Sequence, residues 1–181
     1  DIDVASRSRR KRLVKLALRQ LYLRTADRLI FMSELEEKDT RSGAVPYELI
    51  SHAVQEEIAI VEPRTEDLTP GVLRIGFLGR NIPKKGIDLI IRAIGRNPER
   101  HWELAIAGPP GTDEFRDEMA RLVRELEVGD RIRWVGFLPE RSDLFRACDV
   151  LAMPSAYEGF GMVAAEALCN GVPVIVPNRT G

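Results

Sequence analysis

Two short stretches of this chain combine glycine with charge in a way that suits an anionic ligand. The first reads Gly79-Arg80-Asn81-Ile82-Pro83-Lys84-Lys85-Gly86. Pro83 keeps the segment out of helix, and Gly79 and Gly86 allow the backbone to turn tightly. Arg80 can grip a phosphate through two donors, and Lys85 can act as a mobile point charge. The plainer reading of such a loop is solvated surface. The second stretch reads Glu158-Gly-Phe-Gly-Met-Val-Ala-Ala-Glu166. Gly159 and Gly161 let a ligand approach the backbone. The amides of Phe160, Gly161, Met162 and Val163 are then helix-start donors with no partner inside the helix. Glu158 and Glu166 bracket those amides. A carboxylate there repels phosphate unless it addresses something neutral, and sugar or ribose hydroxyls are neutral donors. Together the stretches suit a ligand carrying both phosphates and vicinal diols, as a nucleotide sugar does. The plainer alternative is that the two glutamates only complement the positive end of a helix.

Such loops need elements to hold them. The pattern predicts strands over Val72–Leu78, Trp102–Ala107, Arg131–Val135, Val150–Met153 and Pro173–Val176. Between them lie an apolar helical face at Ile87, Ile90, Ala93 and Ile94, and a helix capped by Thr112 that carries Phe115, Met119, Leu122, Val123 and Leu126 and ends at Gly129. A short helix around Asp143–Ala147 and a helix through Glu166 complete the series. This alternation predicts an α/β fold, a Rossmann-like doubly wound parallel sheet with helices on both faces. Sheets of that kind bind ligands beyond the carboxyl ends of their strands, where the strand order reverses. Both charged stretches follow strands.

Upstream, Asp27–Met32 reads as a short strand, and Ser33 with Glu36 has the form of a helix capping box, with Gly43 as the stop. Val45–Gly71 is poorly periodic, contains Pro46, Pro63 and Pro70, and reads as connection rather than core. Residues 1–24 hold eight basic side chains. At helical period Lys11, Arg12, Lys15 and Arg19 share one face, while Leu13, Val14, Ala17, Leu18 and Leu21 share the other. The preferred reading is an apolar face packed on a neighbouring sheet. The second reading is peripheral contact with an anionic membrane.

Bulk properties are those of a packed domain: 44% apolar, 30% charged, net charge −1. No apolar run approaches a membrane span, and no secretory signal is visible. Cys148 and Cys169 form no metal-ligand or disulfide pattern, and His52 and His101 read as structural or surface residues. Both cysteines are expected in the core, which suits a reducing cytoplasm. No metal site and no nucleic-acid partner are expected.

The ordered set of motifs resembles family-4 retaining glycosyltransferases. Gly79-Arg80 with Lys85-Gly86, Gly108, Val135-Gly136-Phe137, Asp149–Ser155, Glu158 with Glu166, and Gly171-Val-Pro-Val-Ile-Val carry the likeness. The resemblance implies the GT-B fold, in which two Rossmann-like domains face a cleft. Residues 1–45 would be the tail of the N-terminal, acceptor-side domain. Residues 46–71 would be the interdomain connection, although Ile50–Gln55 departs from the Asn-Gly turn often found there. Residues 72–181 would be the nucleotide-sugar-binding domain, cut short of its full fold. Arg80 and Lys85, with Gly79 in the same loop, would hold the donor diphosphate. Glu166 would bind the ribose, Glu158 would face the transferred sugar, and backbone near Phe137 and Leu138 would meet the base. The implied reaction moves a sugar from a nucleoside diphosphate to a hydroxyl of a glycan, lipid or small-molecule acceptor with retention. It uses no metal or other cofactor. This chain by itself is expected to bind the donor without transferring the sugar.

Two other readings exist. Gly159-Phe-Gly161-Met-Val-Ala164 matches a dinucleotide fingerprint of NAD(P)-dependent oxidoreductases, but that motif belongs after a first strand with an acidic residue about twenty positions on. A non-catalytic Rossmann-like interaction module is the third.

Overall fold

The computed structural model describes residues 13–14, 16–18, 20–21, 25–40, 45–53 and 71–178. The chain divides into two compact units, with the division between Ser51 and His52.

In the first unit, β1 (Leu29–Phe31) pairs in parallel with β2 (Tyr47–Leu49). Leu29 and Phe31 are buried, with Ala26 and Val45 packed against them. The α1 helix (Glu34–Thr40) begins as the sequence predicts. Ser33 Oγ accepts from the Glu36 amide at 3.2 Å, and the Glu36 carboxylate accepts from the Met32 amide at 2.9 Å, one residue before the cap. The strand β2 corrects the reading of 46–71 as connection throughout, because Tyr47–Leu49 completes a ladder and sets Tyr47 against Phe31. Gly43, Pro63 and Pro70 lie outside the described residues. So do Lys11, Arg12, Lys15 and Arg19, the basic face of the N-terminal helix. On its apolar face Leu13, Val14, Ala17, Leu18 and Leu21 are exposed, against the expectation that they pack on a sheet.

The second unit is a five-stranded parallel sheet. Its strands are β3 (Val72–Leu78), β4 (His101–Ala107), β5 (Ile132–Gly136), β6 (Val150–Ala152) and β7 (Val174–Ile175), in the spatial order β5-β4-β3-β6-β7. The period of two along each strand sends alternate side chains to opposite faces. Leu104 and Ile106 join Ile75, Phe77, Val150 and Ala152 on one face, under α2 (Ile87–Gly95) and α3 (Asp113–Glu125). Ala105, Ala107 and Leu151 lie on the other, under α4 (Ser142–Ala147) and α5 (Met162–Cys169). The doubly wound parallel sheet expected from the alternation is therefore present.

Details of the packing differ from the pattern. The α2 helix buries Ile87, Ile90, Ile91 and Ile94, while Ala93 is exposed. Each buried isoleucine contributes roughly 1.5–3 kcal/mol. The α3 helix is capped by Thr112, whose Oγ1 accepts from the Phe115 amide at 3.4 Å. It ends at Glu125, ahead of Gly129, and Glu127 just beyond it adopts a left-handed φ of 53°. The Val128 amide then donates to Val123 O at 3.2 Å, and the Val128 side chain turns into the core. Burying Val128 offsets the strain of a non-glycine residue there. Cys148 is buried as expected, but Cys169 is exposed, on the outer side of α5.

The strand order reverses at β3. The chain leaves β3 for α2 on one face and β6 for α5 on the other, so a crevice opens where the two strands end. Gly86 closes the loop after β3 with φ 72°, and a Cβ there would stand 2.4 Å from the Pro154 carbonyl oxygen after β6. Gly171 has the same φ of 72° at the end of α5, yet a Cβ there would meet nothing within 4 Å. Gly171→Ala should therefore cost about 1–2 kcal/mol, the conformational penalty alone. Gly86→Ala should cost more, about 2–4 kcal/mol, because the backbone of Pro154 must move as well. Urea unfolding of the two variants checks this, and equal losses would show that the loops do not touch as described.

Candidate functional site

The two charged loops meet at this crossover. The Ala156 amide donates to Lys84 O at 2.8 Å, and Gly86 packs on Pro154. The Lys85 ammonium donates to Glu158 Oε1, and the Ser155 hydroxyl donates to the same oxygen at 2.8 Å. Lys85 and Glu158 are both largely buried, with side chains 17% and 16% exposed. Burial pushes the Glu158 carboxyl up. Hydrogen bonds from Lys85 and Ser155, with the charges of Lys85 and Lys84, more than offset this and hold it below the usual glutamate range. Glu158 is thus already matched by a lysine.

The remaining candidate residues sit in the loops after β3, β5 and β6 and in α5. Arg80 is exposed and forms no ion pair with a described residue. Gly79 donates its amide to Ala107 O at 3.0 Å, which ties the start of the loop to the end of β4. Gly161 takes φ 81° as the residue before α5, and the carbonyl of Gly161 accepts from Ala164 and Ala165. The amides of Met162 and Val163, in the first turn, have no acceptor within the helix. Phe160 sets its ring edge-on to His52, with centroids 5.7 Å apart, so His52 borders this loop. At the end of β5, Phe137 is 76% exposed, whereas Leu138 packs against the core of the α4–α5 face.

Glu166 is 1% exposed. Arg141 Nη1 donates to its Oε1 at 2.6 Å, and its Oε2 is buried without a partner. Ser155 and Arg141 received no role from sequence reasoning. Ser155 was within reach of it, since a serine three residues before a glutamate in one turn can share its proton with it. Arg141 was not, because only the folding of α4 beside α5 brings residues so distant in sequence together. A cavity of about 430 Å³ lies beside β4 and β5, and one of about 390 Å³ opens between α3, Trp134 and Asn81 of the loop after β3, with Gly108 and Gly136 in its wall; neither is lined by Lys85, Glu158 or Glu166.

The dinucleotide fingerprint from Gly159 to Ala164 follows β6, beyond the reversal of strand order, rather than opening the sheet after β3. No group of three or more His, Cys, Asp or Glu side chains that could hold a metal occurs among the described residues. No helix among them is long and apolar enough to cross a membrane.

The Lys85–Glu158 tie has a pH signature. Because the folded carboxyl sits below its ordinary value, its contribution is complete above about pH 4.3, the unfolded value, and is lost as pH falls through the folded one. Lys85→Met should therefore destabilise the chain at pH 7 by about 1.5–3 kcal/mol. The gap to the wild type should close toward pH 3. Denaturant melts at the two pH values measure it, and a gap that persists in acid would assign Lys85 a packing role instead.

Comparison with known proteins identifies the family and matches the fold. Residues 62–181 match the family model for glycosyl transferases group 1. A D-inositol 3-phosphate glycosyltransferase of Kribbella flavida is 34% identical over 83% of this chain and 40% of its own length. One from Corynebacterium glutamicum is 38% identical over 59% of this chain and 27% of its own. The chain thus spans less than half the length of these relatives. Among solved structures, a sucrose-phosphate synthase of Thermosynechococcus elongatus superposes with TM-score 0.80 at 26% identity, covering 93% of this chain and 45% of that one. Anabaena HepE in complex with UDP-glucose superposes with TM-score 0.77 at 22% identity, covering 90% and 48%. These neighbours share the parallel α/β fold, and the oxidoreductase reading is not favoured. The chain belongs to the group 1 glycosyltransferases.

Proposed function

We propose that this chain is the donor-binding part of a retaining, family-4 glycosyltransferase that uses a nucleoside-diphosphate sugar without a metal. The observation that carries the reading is the meeting of Lys85 and Glu158 at the crossover of the sheet, beside the start of α5. HepE has been solved with UDP and with UDP-glucose, and the named relatives are glycosyltransferases. Both facts support a nucleotide sugar as ligand.

In this reading the diphosphate lies against the loop after β3 and the first amides of α5. The bond from the anomeric carbon to the diphosphate oxygen breaks, and an acceptor hydroxyl oxygen takes its place with retention. The difficult charge is on the departing diphosphate. Lys85, held by Glu158, and the donors around Gly161 are in place before it develops, as preorganised electrostatic stabilisation requires, and Arg80 adds its charge. Lys85 shifts part of its bonding from Glu158 to phosphate, and Ser155 keeps Glu158 in position facing the sugar. Glu166 accepts from the ribose, and backbone at Phe137 and Leu138 meets the base. The cation set supports a metal-free route, since two cations and a helix start together match a diphosphate. The acceptor is a glycan, lipid or small molecule; residues 1–45, with β2 paired to them, belong to the tail of the acceptor-side domain, and the stretch after β2 is the interdomain connection.

Calorimetric titration with UDP, in EDTA and in magnesium, tests this directly. UDP should bind in both, more weakly as salt is added. Arg80→Met and Lys85→Met should each lower UDP affinity about tenfold or more and leave uridine binding nearly unchanged. Binding that vanishes in EDTA and returns with magnesium would overturn the metal-free mechanism. The purified chain should show no sugar transfer from UDP-glucose to an acceptor.

A further inference from the structure

The bond between Arg141 and Glu166 has a shape that a merely structural ion pair does not require. Its carboxylate is sunk in the protein, with a side chain 2% exposed, while its guanidinium stands at the surface, 50% exposed. One carboxylate oxygen is held at 2.6 Å, and the other is buried with nothing bonded to it. An unsatisfied buried acceptor costs about 1–3 kcal/mol. Folding therefore tolerates an open oxygen on a carboxylate inside α5.

Arg141 has a distinctive place in the chain. It is the residue before α4 and follows directly on Phe137-Leu138-Pro139-Glu140, the loop after β5. Glu166 belongs to α5, which the chain reaches from β6 on the other side of the strand reversal. The bond thus couples the loop assigned to the base with the carboxylate assigned to the ribose. A planar guanidinium holds a carboxylate in one orientation better than a flexible ammonium does, and Arg141 is anchored at the start of α4, whose Leu144 and Phe145 are buried.

We propose that Arg141 is a positioning residue for ribose recognition, holding Glu166 by Oε1 so that Oε2 is presented to the vicinal hydroxyls. The proposal rests on Glu166 being the ribose contact. Oε2 retains the lone pairs to accept from the diol while Oε1 stays with Arg141. Without Arg141 the carboxylate has no anchor and loses its fixed direction, so discrimination between ribose and its deoxy analogue falls. The diphosphate contacts at Arg80 and Lys85 are untouched.

The test compares UDP with 2′,3′-dideoxy-UDP by calorimetry on the 181-residue chain. Wild type should prefer UDP by about tenfold or more, the worth of a charge-assisted hydrogen bond. Arg141→Met should reduce that preference to within about twofold, while the preference for UDP over uridine is retained. Arg141→Lys should restore part of it, which a loss of folding or packing would not. An unchanged ribose preference in Arg141→Met, or tighter UDP binding, would overturn the proposal, the latter showing that Arg141 blocks the site rather than shapes it. Glu166→Ala separates the two levels. If it keeps the ribose preference, the assignment of Glu166 is wrong. If it loses the preference while Arg141→Met keeps it, the assignment stands and the role of Arg141 falls.

Discussion

The close approach of two loops, one leaving β3 and the other leaving β6, is the constraint on which the site depends. A parallel sheet whose strand order reverses must part its connections, and the carboxyl ends of the parting strands are left open. Here that opening is narrow because Gly86 has no side chain to hold Pro154 away. The narrowness brings Lys84 O to the Ala156 amide and Lys85 to Glu158. Each of these contacts is modest alone. Together they fix a lysine, a carboxylate and a helix start relative to one another, with no flexible segment between them.

The electrostatics follow from that geometry. Glu158 is partly desolvated and would be costly in isolation, so it is stable only because Lys85 and Ser155 share one of its oxygens. Glu166 is more deeply buried and has its own cation in Arg141. Each of the two carboxylates thus has its own cation, Lys85 for Glu158 before α5 and Arg141 for Glu166 within it. Neither glutamate is therefore an unmatched negative charge.

Much of this was legible in the sequence, for physical reasons that can be named. Strands with one residue type on each face, such as Leu104-Ala105-Ile106-Ala107, announce themselves by alternation, and the glycine-flanked charges announce the loops. What was missed required knowledge of a neighbour. Ile91 belongs to the buried face of α2, while Ala93 lies roughly 110° round the helix from its centre. A small residue cannot reveal its side by composition alone. Glu127 took the left-handed position in place of Gly129 because Val128 had a core to enter. The strand β2 lies in a stretch with no apolar periodicity and forms because β1 offers it a ladder. Arg141 carries no local mark at all, and its bond to Glu166 exists only once α4 and α5 share a face of the sheet.

The central claim is that the ligand sits at the crossover, between the loops after β3 and β6, and nowhere else on the sheet. Backbone amide chemical-shift mapping by NMR during a UDP titration tests it most directly. The account predicts that the shifts concentrate at residues 79–86, 137–141 and 155–166. The amides of Glu103, Ile132 and Arg133, beside the cavity at the amino halves of β4 and β5, should stay unmoved. Shifts centred on that cavity, or on Trp134 and α3, with the Lys85 and Glu158 amides silent, would contradict it.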